Sequence, residues 1–194
     1  ILPKLAGSKF YSKFDFCKGY WAIPMAAESM DYTSFVTSKG LQKFKVMPFG
    51  LVNAAGSTYN RMMRKLLDGM SDIDNYIDDV LTHTSDWERH LGALKDFFSR
   101  VKKANLSLKP SKCQLGYDKV EFLGYTITGD SVEPKPSKLL QIIEADRPIT
   151  KKQVRSFLGM VNFYRRFIPS CATLTSPLSD QTKKNSSNVV QWGE

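Results

Sequence analysis

The chain has 194 residues, 42% of them hydrophobic, and 28 Lys/Arg against 19 Asp/Glu give a formal net charge of +9. This can bury a real core, as one large domain or a domain with a small appendage, but the longest apolar runs fall far short of the ~18 residues a membrane helix needs. Cys17, Cys113 and Cys171 are odd in number, widely spaced and free of Cys-x-x-Cys pairing, which excludes a disulfide framework or a zinc site.

Residues 13–25 read as a strand followed by a turn at Lys18-Gly19, and 33–37 and 43–47 as two strands joined through Gly40. From Asn53 to Met70, Tyr59, Met62, Met63, Leu66, Leu67 and Met70 recur every three or four residues, one face of a helix that ends near Gly69. Ile73 to Thr84 reads as two short strands with Asp78-Asp79 near the reversal, on an exposed turn. Ser85-Asp86-Trp87-Glu88 fits a capping box with Ser85 as N-cap, opening a helix with the stripe Trp87, Leu91, Leu94, Phe98 and Val101 that stops near Asn105. His83 and His90, flanking that start, read as polar surface residues rather than ligands.

Residues 106–109 and 119–128 follow as strands, the second turning at Gly129-Asp130. This order predicts an α+β fold, an antiparallel sheet with both helices on one face. Pro134 and Pro136 suggest a joint between subdomains. Thr150-Lys151-Lys152-Gln153 makes a second capping box, whose helix carries Val154, Phe157, Leu158, Val161 and Tyr164 on one side and leaves Lys151, Lys152, Arg155, Arg165 and Arg166 as a basic fringe. The polar stretch from Ser179 to Asn188 looks like a linker.

Two features carry chemistry. Tyr76-Ile77-Asp78-Asp79 sets adjacent carboxylates in an apolar run, and Asp15 lies in a similar setting upstream. A carboxylate beside strand-forming residues is costly unless something cationic compensates it, which makes a metal site the first hypothesis. The second is charge: Arg100 to Arg166 holds fourteen Lys/Arg against six Asp/Glu, while the rest holds fourteen against thirteen. A basic field concentrated in one stretch suits a polyanion, and nucleic acid is the natural partner.

Five blocks in order resemble reverse transcriptases of gypsy-type long-terminal-repeat retrotransposons: Phe14-Asp15 through Gly19-Tyr20; Val46-Met47-Pro48-Phe49-Gly50-Leu51-Val52-Asn53-Ala54; Tyr76-Ile77-Asp78-Asp79; Phe122-Leu123-Gly124-Tyr125; and Phe157-Leu158-Gly159-Met160 through Tyr164-Arg165-Arg166-Phe167. A bare Asp-Asp is more often an ordinary acidic turn, but five ordered blocks outweigh that reading. The resemblance implies a polymerase palm over 1–133 with a partial fingers insertion at about 24–47, a helical thumb over 134–178, and a linker over 179–194 toward a further domain. It implies catalysis at Asp15, Asp78 and Asp79, with two Mg²⁺ (or Mn²⁺) held by Asp15, Phe16, Asp78 and Asp79.

It further implies nucleotide contacts from Tyr20, Phe49, Gly50 and Lys112, with Tyr20 excluding a ribose 2′-OH. Tyr76 and Phe122 to Tyr125 would hold the primer, and Lys151, Lys152, Arg155, Arg165 and Arg166 would touch the nucleic-acid backbone. Partners implied are an RNA or DNA template with primer, and dNTPs; ribonuclease H and integrase regions belong to the parent polyprotein. No membrane is expected; the cytoplasm, within virus-like particles, or the nucleus is. A noncatalytic nucleic-acid-binding remnant is the alternative. The chain departs from the family pattern at Ala55-Gly56, where proline is usual at the first position, and at Phe16-Cys17. Gln191-Trp192 resembles the lead into the next region.

Overall fold

The computed structural model describes residues 2–5, 7–190 and 192. Its chain divides into two units, Ile1–Val132 and Glu133–Glu194.

In the first unit the chain order is β1 (Phe10–Asp15), the hairpin β2 (Phe35–Thr37) and β3 (Gly40–Gln42), α1 (Asn60–Leu66), β4 (Ile73–Tyr76), β5 (Asp79–Thr84) and α2 (Trp87–Lys103). Strands β6 (Gln114–Tyr117), β7 (Lys119–Phe122) and β8 (Tyr125–Thr128) follow, and β9 (Val132–Pro134) begins on the last residue of this unit. The main sheet has the order β4-β5-β1-β6, and β1 runs antiparallel to both of its neighbours. Alternation along β1 sends Ser12 and Phe14 to one face and Tyr11, Lys13 and Asp15 to the other. Phe14 joins Val80, Met63, Leu67, Leu94 and Phe97 in one buried cluster, so both helices cover the Phe14 face and the fold is α+β, as expected.

Several element boundaries differ from the sequence reading. The first strand spans 10–15, and Gly19–Ala22 is a 3₁₀ turn rather than strand. The small hairpin closes at Gly40 with its second strand at Gly40–Gln42, leaving 43–47 with one bridge, Pro24 to Val46. The helix expected from Asn53 begins as a π-helical turn over Ala54–Tyr59, where the Thr58 N–H reaches the Asn53 carbonyl at 3.2 Å. Residues 106–109 form no strand; the bridge from Leu108 to Phe16 is their sheet contact, and β6 supplies the fourth strand instead. The 119–128 stretch is a hairpin, not one strand, reversing at Leu123-Gly124, both in the left-handed region.

Helix α2 differs most. Its N-cap is Asp86, accepting from the Arg89 N–H at 2.9 Å, not Ser85. Its buried side is His90, Leu94, Phe97 and Val101, whereas Trp87, Leu91 and Phe98 are exposed. Neither histidine is a surface residue. His90 Nε2 meets Ser12 Oγ at 2.7 Å and Nδ1 meets Thr84 Oγ1 at 2.9 Å, while His83 lies between Ser8 Oγ and Asp74 Oδ2, at 3.2 Å and 3.1 Å.

Burial holds His90 below the ordinary histidine range. The unfolded chain therefore takes up this proton first, so stability present at neutral pH is lost as pH falls below about 6.5. His90→Asn is expected to flatten that part of the pH profile of thermal unfolding while lowering stability at pH 7.5; an unchanged slope would refute the assignment.

The second unit holds α3 (Pro136–Ile143), α4 (Lys151–Phe163) and α5 (Cys171–Asp180). Pro136 opens α3 as an N-terminal proline, so the expected joint contains a helix of its own. The Thr150–Gln153 capping box is present, and Val154, Leu158, Val161 and Tyr164 are buried. The tail is not a loose linker: Val190 packs with Val154 and Leu158, its N–H bonds the Ile149 carbonyl at 3.0 Å, and Trp192 Nε1–H donates to Pro148 O at 2.9 Å. Residues 191, 193 and 194 of the expected linker lie outside the described residues.

Candidate active site

The three aspartates come from the adjoining ends of β1 and β5 and from the turn that joins β4 to β5. Asp15 ends β1 directly opposite Asp79, the first residue of β5, and Asp79 is also opposite Tyr76 across a two-residue turn made by Ile77 and Asp78. Ile77 has φ +54°, a conformation that strains a β-branched residue, and its side chain packs against the core cluster. The turn is thus pinned from beneath, leaving Asp78 exposed above it.

Two of the three carboxylates are paired with ammonium groups. Lys112 Nζ lies 3.3 Å from Asp15 Oδ2, and Lys13 Nζ lies 3.1 Å from Asp79 Oδ1. The chain after α2 brings Lys112 in by running beside β1, with the Cys17 N–H on the Ser107 carbonyl at 2.7 Å and the Lys109 N–H on the Asp15 carbonyl at 2.9 Å. Asp78 has no such partner among the bonds described. Partial burial, then the charges of Asp79 and Asp15, push its carboxyl above the ordinary range.

Among the described residues, no three carboxylate, imidazole or thiolate groups converge as a ready-made cation cage. The donor chemistry nevertheless fits a hard divalent cation. All three side chains offer oxygen, Asp78 is destabilised by its like-charged neighbours, and two lysine ammoniums already stand where positive charge is needed. Phe16 can contribute only its main-chain oxygen, because its ring is buried in the core cluster.

Beside the carboxylates stands an aromatic wall. Tyr20, half-buried on the 3₁₀ turn Gly19–Ala22, meets Phe49 edge-on at 5.3 Å between ring centroids and Tyr59 at 5.2 Å. Phe49 is 64% exposed. It is carried back to Tyr20 by two main-chain bonds, Met25 N–H to Lys45 O at 3.0 Å and Met47 N–H to Ile23 O at 2.9 Å. Gly50 follows with φ +91° and open space where a Cβ would stand.

Gly19 has no such space: a Cβ there would lie 2.6 Å from the Tyr59 hydroxyl. Since the Tyr59 ring is fully buried, Gly19→Ala is expected to cost about 1–3 kcal/mol in denaturant unfolding, as overpacking does. A neutral outcome would show that the ring can withdraw.

Similarity to known proteins decides the family. The sequence profile described as "Reverse transcriptase (RNA-dependent DNA polymerase)" matches residues 1–127. The chain belongs to the reverse transcriptase family. It is 33% identical over 186 residues to the retrovirus-related Pol polyprotein from transposon 297 of Drosophila melanogaster, covering 95% of this chain and 18% of that protein. It is 29% identical over 194 residues to the transposon Tf2-3 polyprotein of Schizosaccharomyces pombe, covering 99% of this chain and 14% of that one. The chain thus spans less than a fifth of either polyprotein.

Among solved structures, the foamy viral protease-reverse transcriptase in complex with double-stranded DNA superposes with a TM-score of 0.90 at 26% identity, over 97% of this chain and 33% of that one. The same viral protein in complex with an RNA/DNA hybrid gives 0.83 at 25% identity, over 97% of this chain and 26% of that one.

In this reverse transcriptase chain, Asp15 and Asp79 pair at the end of the two central strands with Asp78 in the adjoining turn, Lys112 reaches Asp15, and Tyr20 and Phe49 form their own contact. Tyr76 is 55% exposed beside the turn. Phe122 and Tyr125 are buried, so their rings hold the β7–β8 hairpin instead of reaching outward, and Leu123-Gly124 forms its reversal. In the second unit, Lys151 Nζ donates to the Lys183 carbonyl at 2.7 Å and Arg155 to the Thr182 carbonyl at 2.9 Å, which leaves them less available than expected. Lys152, Arg165 and Arg166 are exposed, the last with its guanidinium 4.6 Å from the Phe167 ring.

Sequence reasoning missed Lys13 and placed Tyr59 only in the core. Lys13 had a signal: it sits two residues before Asp15, hence on the same strand face. Tyr59 had none, because its approach to Gly19 is a long-range contact.

Proposed function

We propose that this chain is the palm, partial fingers and thumb of an RNA-directed DNA polymerase, part of a gypsy-type retrotransposon Pol polyprotein, which adds nucleotides to a primer 3′-OH. The observation that carries this reading is the Asp15–Asp79 pairing with Asp78 in the adjoining turn, inside a reverse transcriptase domain. The relatives that are Pol polyproteins, and the viral relative bound to DNA and to an RNA/DNA hybrid, support template, primer and parentage alike.

In this reading, Asp15 and Asp78 hold two Mg²⁺, with Asp79 and the Phe16 carbonyl assisting. The ions, when bound, lower the pKa of the primer hydroxyl and neutralise charge on the attacked phosphate and departing pyrophosphate. The 3′-OH gives up its proton to solvent, and its oxygen forms the new bond to the α-phosphorus as the bond to the pyrophosphate oxygen breaks. Lys112 gives a proton to the pyrophosphate and regains one from solvent, a role supported by its ion pair with Asp15. Phe49 and Gly50 lie against the new base pair, and Tyr20 closes the space beneath the sugar. Tyr76 and the Leu123-Gly124 reversal hold the primer end, while Lys152, Arg165 and Arg166 touch phosphates without reading bases. Ribonuclease H and integrase activities belong elsewhere in the parent protein, which works in the cytoplasm within virus-like particles.

Primer extension on an RNA template with dNTPs and Mg²⁺, with duplex binding followed in parallel, tests the proposal. Extension supports it; duplex binding without extension, by the chain and by the longer polyprotein that carries it, would favour the noncatalytic remnant. Tyr20→Ala is expected to admit ribonucleotides, lowering sugar discrimination by about a hundredfold, within what a pocket's fit can supply.

A further inference from the structure

We infer that Tyr59 is a specificity-determining positioning residue: its buried ring is the back-stop that fixes how far Tyr20 can retreat from the sugar of an incoming nucleotide. The inference rests on the reading of Tyr20 as the residue beneath that sugar.

Four observations carry it. Tyr20 is held between the exposed Phe49 at 5.3 Å and the fully buried Tyr59 at 5.2 Å, and of these two rings Tyr59 is the rigid one. The main chain just before Tyr20 has no slack against that ring, since a Cβ on Gly19 would come within 2.6 to 2.9 Å of three Tyr59 atoms. The Tyr59 hydroxyl is buried with no hydrogen-bond partner among the described residues, so the support it gives Tyr20 comes from its ring and not from a polar contact. The ring is delivered by an unusual backbone, the π-helical turn Ala54–Tyr59, which widens the helix just before α1. Such turns gather at functional sites, and this one ends on the residue that backs Tyr20.

If the back-stop is the ring, removing its flat face lets Tyr20 sink and opens room for a 2′-OH. The effect should be confined to sugar choice. KM for ribonucleotides falls, while kcat with deoxynucleotides changes little, because neither the carboxylates nor the primer contacts move.

The experiment is single-nucleotide primer extension, comparing kcat/KM for a dNTP with that for the matching rNTP. The unmodified protein is run beside Tyr20→Ala, Tyr59→Phe, Tyr59→Leu and Tyr59→Met, with thermal unfolding recorded for each. Tyr59→Met refills the space with an unbranched chain, so the test stands if Tyr59→Leu fails to fold. Expected is a fall in sugar discrimination of about tenfold for Leu and Met, comparable to what small changes in pocket fit produce, with Tyr59→Phe within about twofold of unmodified and at least as stable.

Unchanged discrimination in Leu and Met while Tyr20→Ala shifts would overturn the inference and leave the polymerase reading intact. A loss in Tyr59→Phe as large as in Tyr59→Leu would also overturn it, by assigning the effect to the hydroxyl. Absence of extension by the unmodified chain and by the longer polyprotein that carries it overturns the polymerase reading, and the inference falls with it.

Discussion

Asp78→Asn is expected to reduce nucleotide addition by about a thousandfold or more, the scale set by losing several kcal/mol of charge stabilisation at the reacting phosphate. Duplex binding should stay within about twofold, because the substitution leaves the exposed basic residues untouched. A purely structural role would give a different pattern, and stability separates the two. Burial and the charges of Asp79 and Asp15 raise the Asp78 carboxyl above its ordinary pKa. The folded chain therefore holds that proton more tightly than the unfolded chain does. Stability is lost as pH rises through the window from about 3.8 upward, and at neutral pH the full penalty is present.

Asparagine removes that penalty. In chelator at pH 7, Asp78→Asn should melt at or above the temperature of the unmodified chain, with the difference vanishing toward pH 3. A variant that loses extension and melts markedly lower in chelator would mean that Asp78 supports the turn rather than the chemistry.

The largest stability effect is expected at Phe97. It is fully buried, with its ring 4.3 Å from that of Phe14 and 6.3 Å from that of Phe16, at the centre of the cluster joining sheet and helices. Phe97→Ala should cost about 3–5 kcal/mol in denaturant unfolding, through lost burial and the cavity left behind. Leu91→Ala, at a position 43% exposed on the same helix, should cost under about 1 kcal/mol. Equal costs would put the buried side of α2 on the stripe the sequence alone suggests, with Trp87, Leu91 and Phe98 inside beside Leu94 and Val101.

That contrast shows why part of this fold is readable from sequence and part is not. A period of three and four finds α2, but two stripes that share Leu94 and Val101 fit it almost equally, one adding Trp87, Leu91 and Phe98 and the other His90 and Phe97, and the choice turns on whether His90 faces water. His90 goes inside because Ser12 and Thr84 give each ring nitrogen a partner, and both lie on strands far along the chain or beyond the helix cap. Nothing local announces them.

The aspartates are legible for the opposite reason. Carboxylates amid strand-forming residues violate local preference, and such violations mark sites. Phe122 and Tyr125 mislead because the motif names a hairpin without saying which side its rings face. The π turn is invisible to a search tuned to 3.6 residues per turn. At the other end of the chain, the abundance of Ser, Lys and Asn hides Val190, the apolar anchor that ties the tail to α4.

The direct pairing of Asp15 with Asp79 ties assembly of the site to strand alignment. Side chains alternate between faces, so sliding β1 past β5 by one residue would put Phe14 or Phe16 where Asp15 belongs and drive a carboxylate into the apolar cluster. A misaligned sheet would forfeit its core and its chemistry together. The same hydrophobic penalty that keeps the strands in step therefore proofreads the spacing of the acidic groups, with no residue devoted to that task alone.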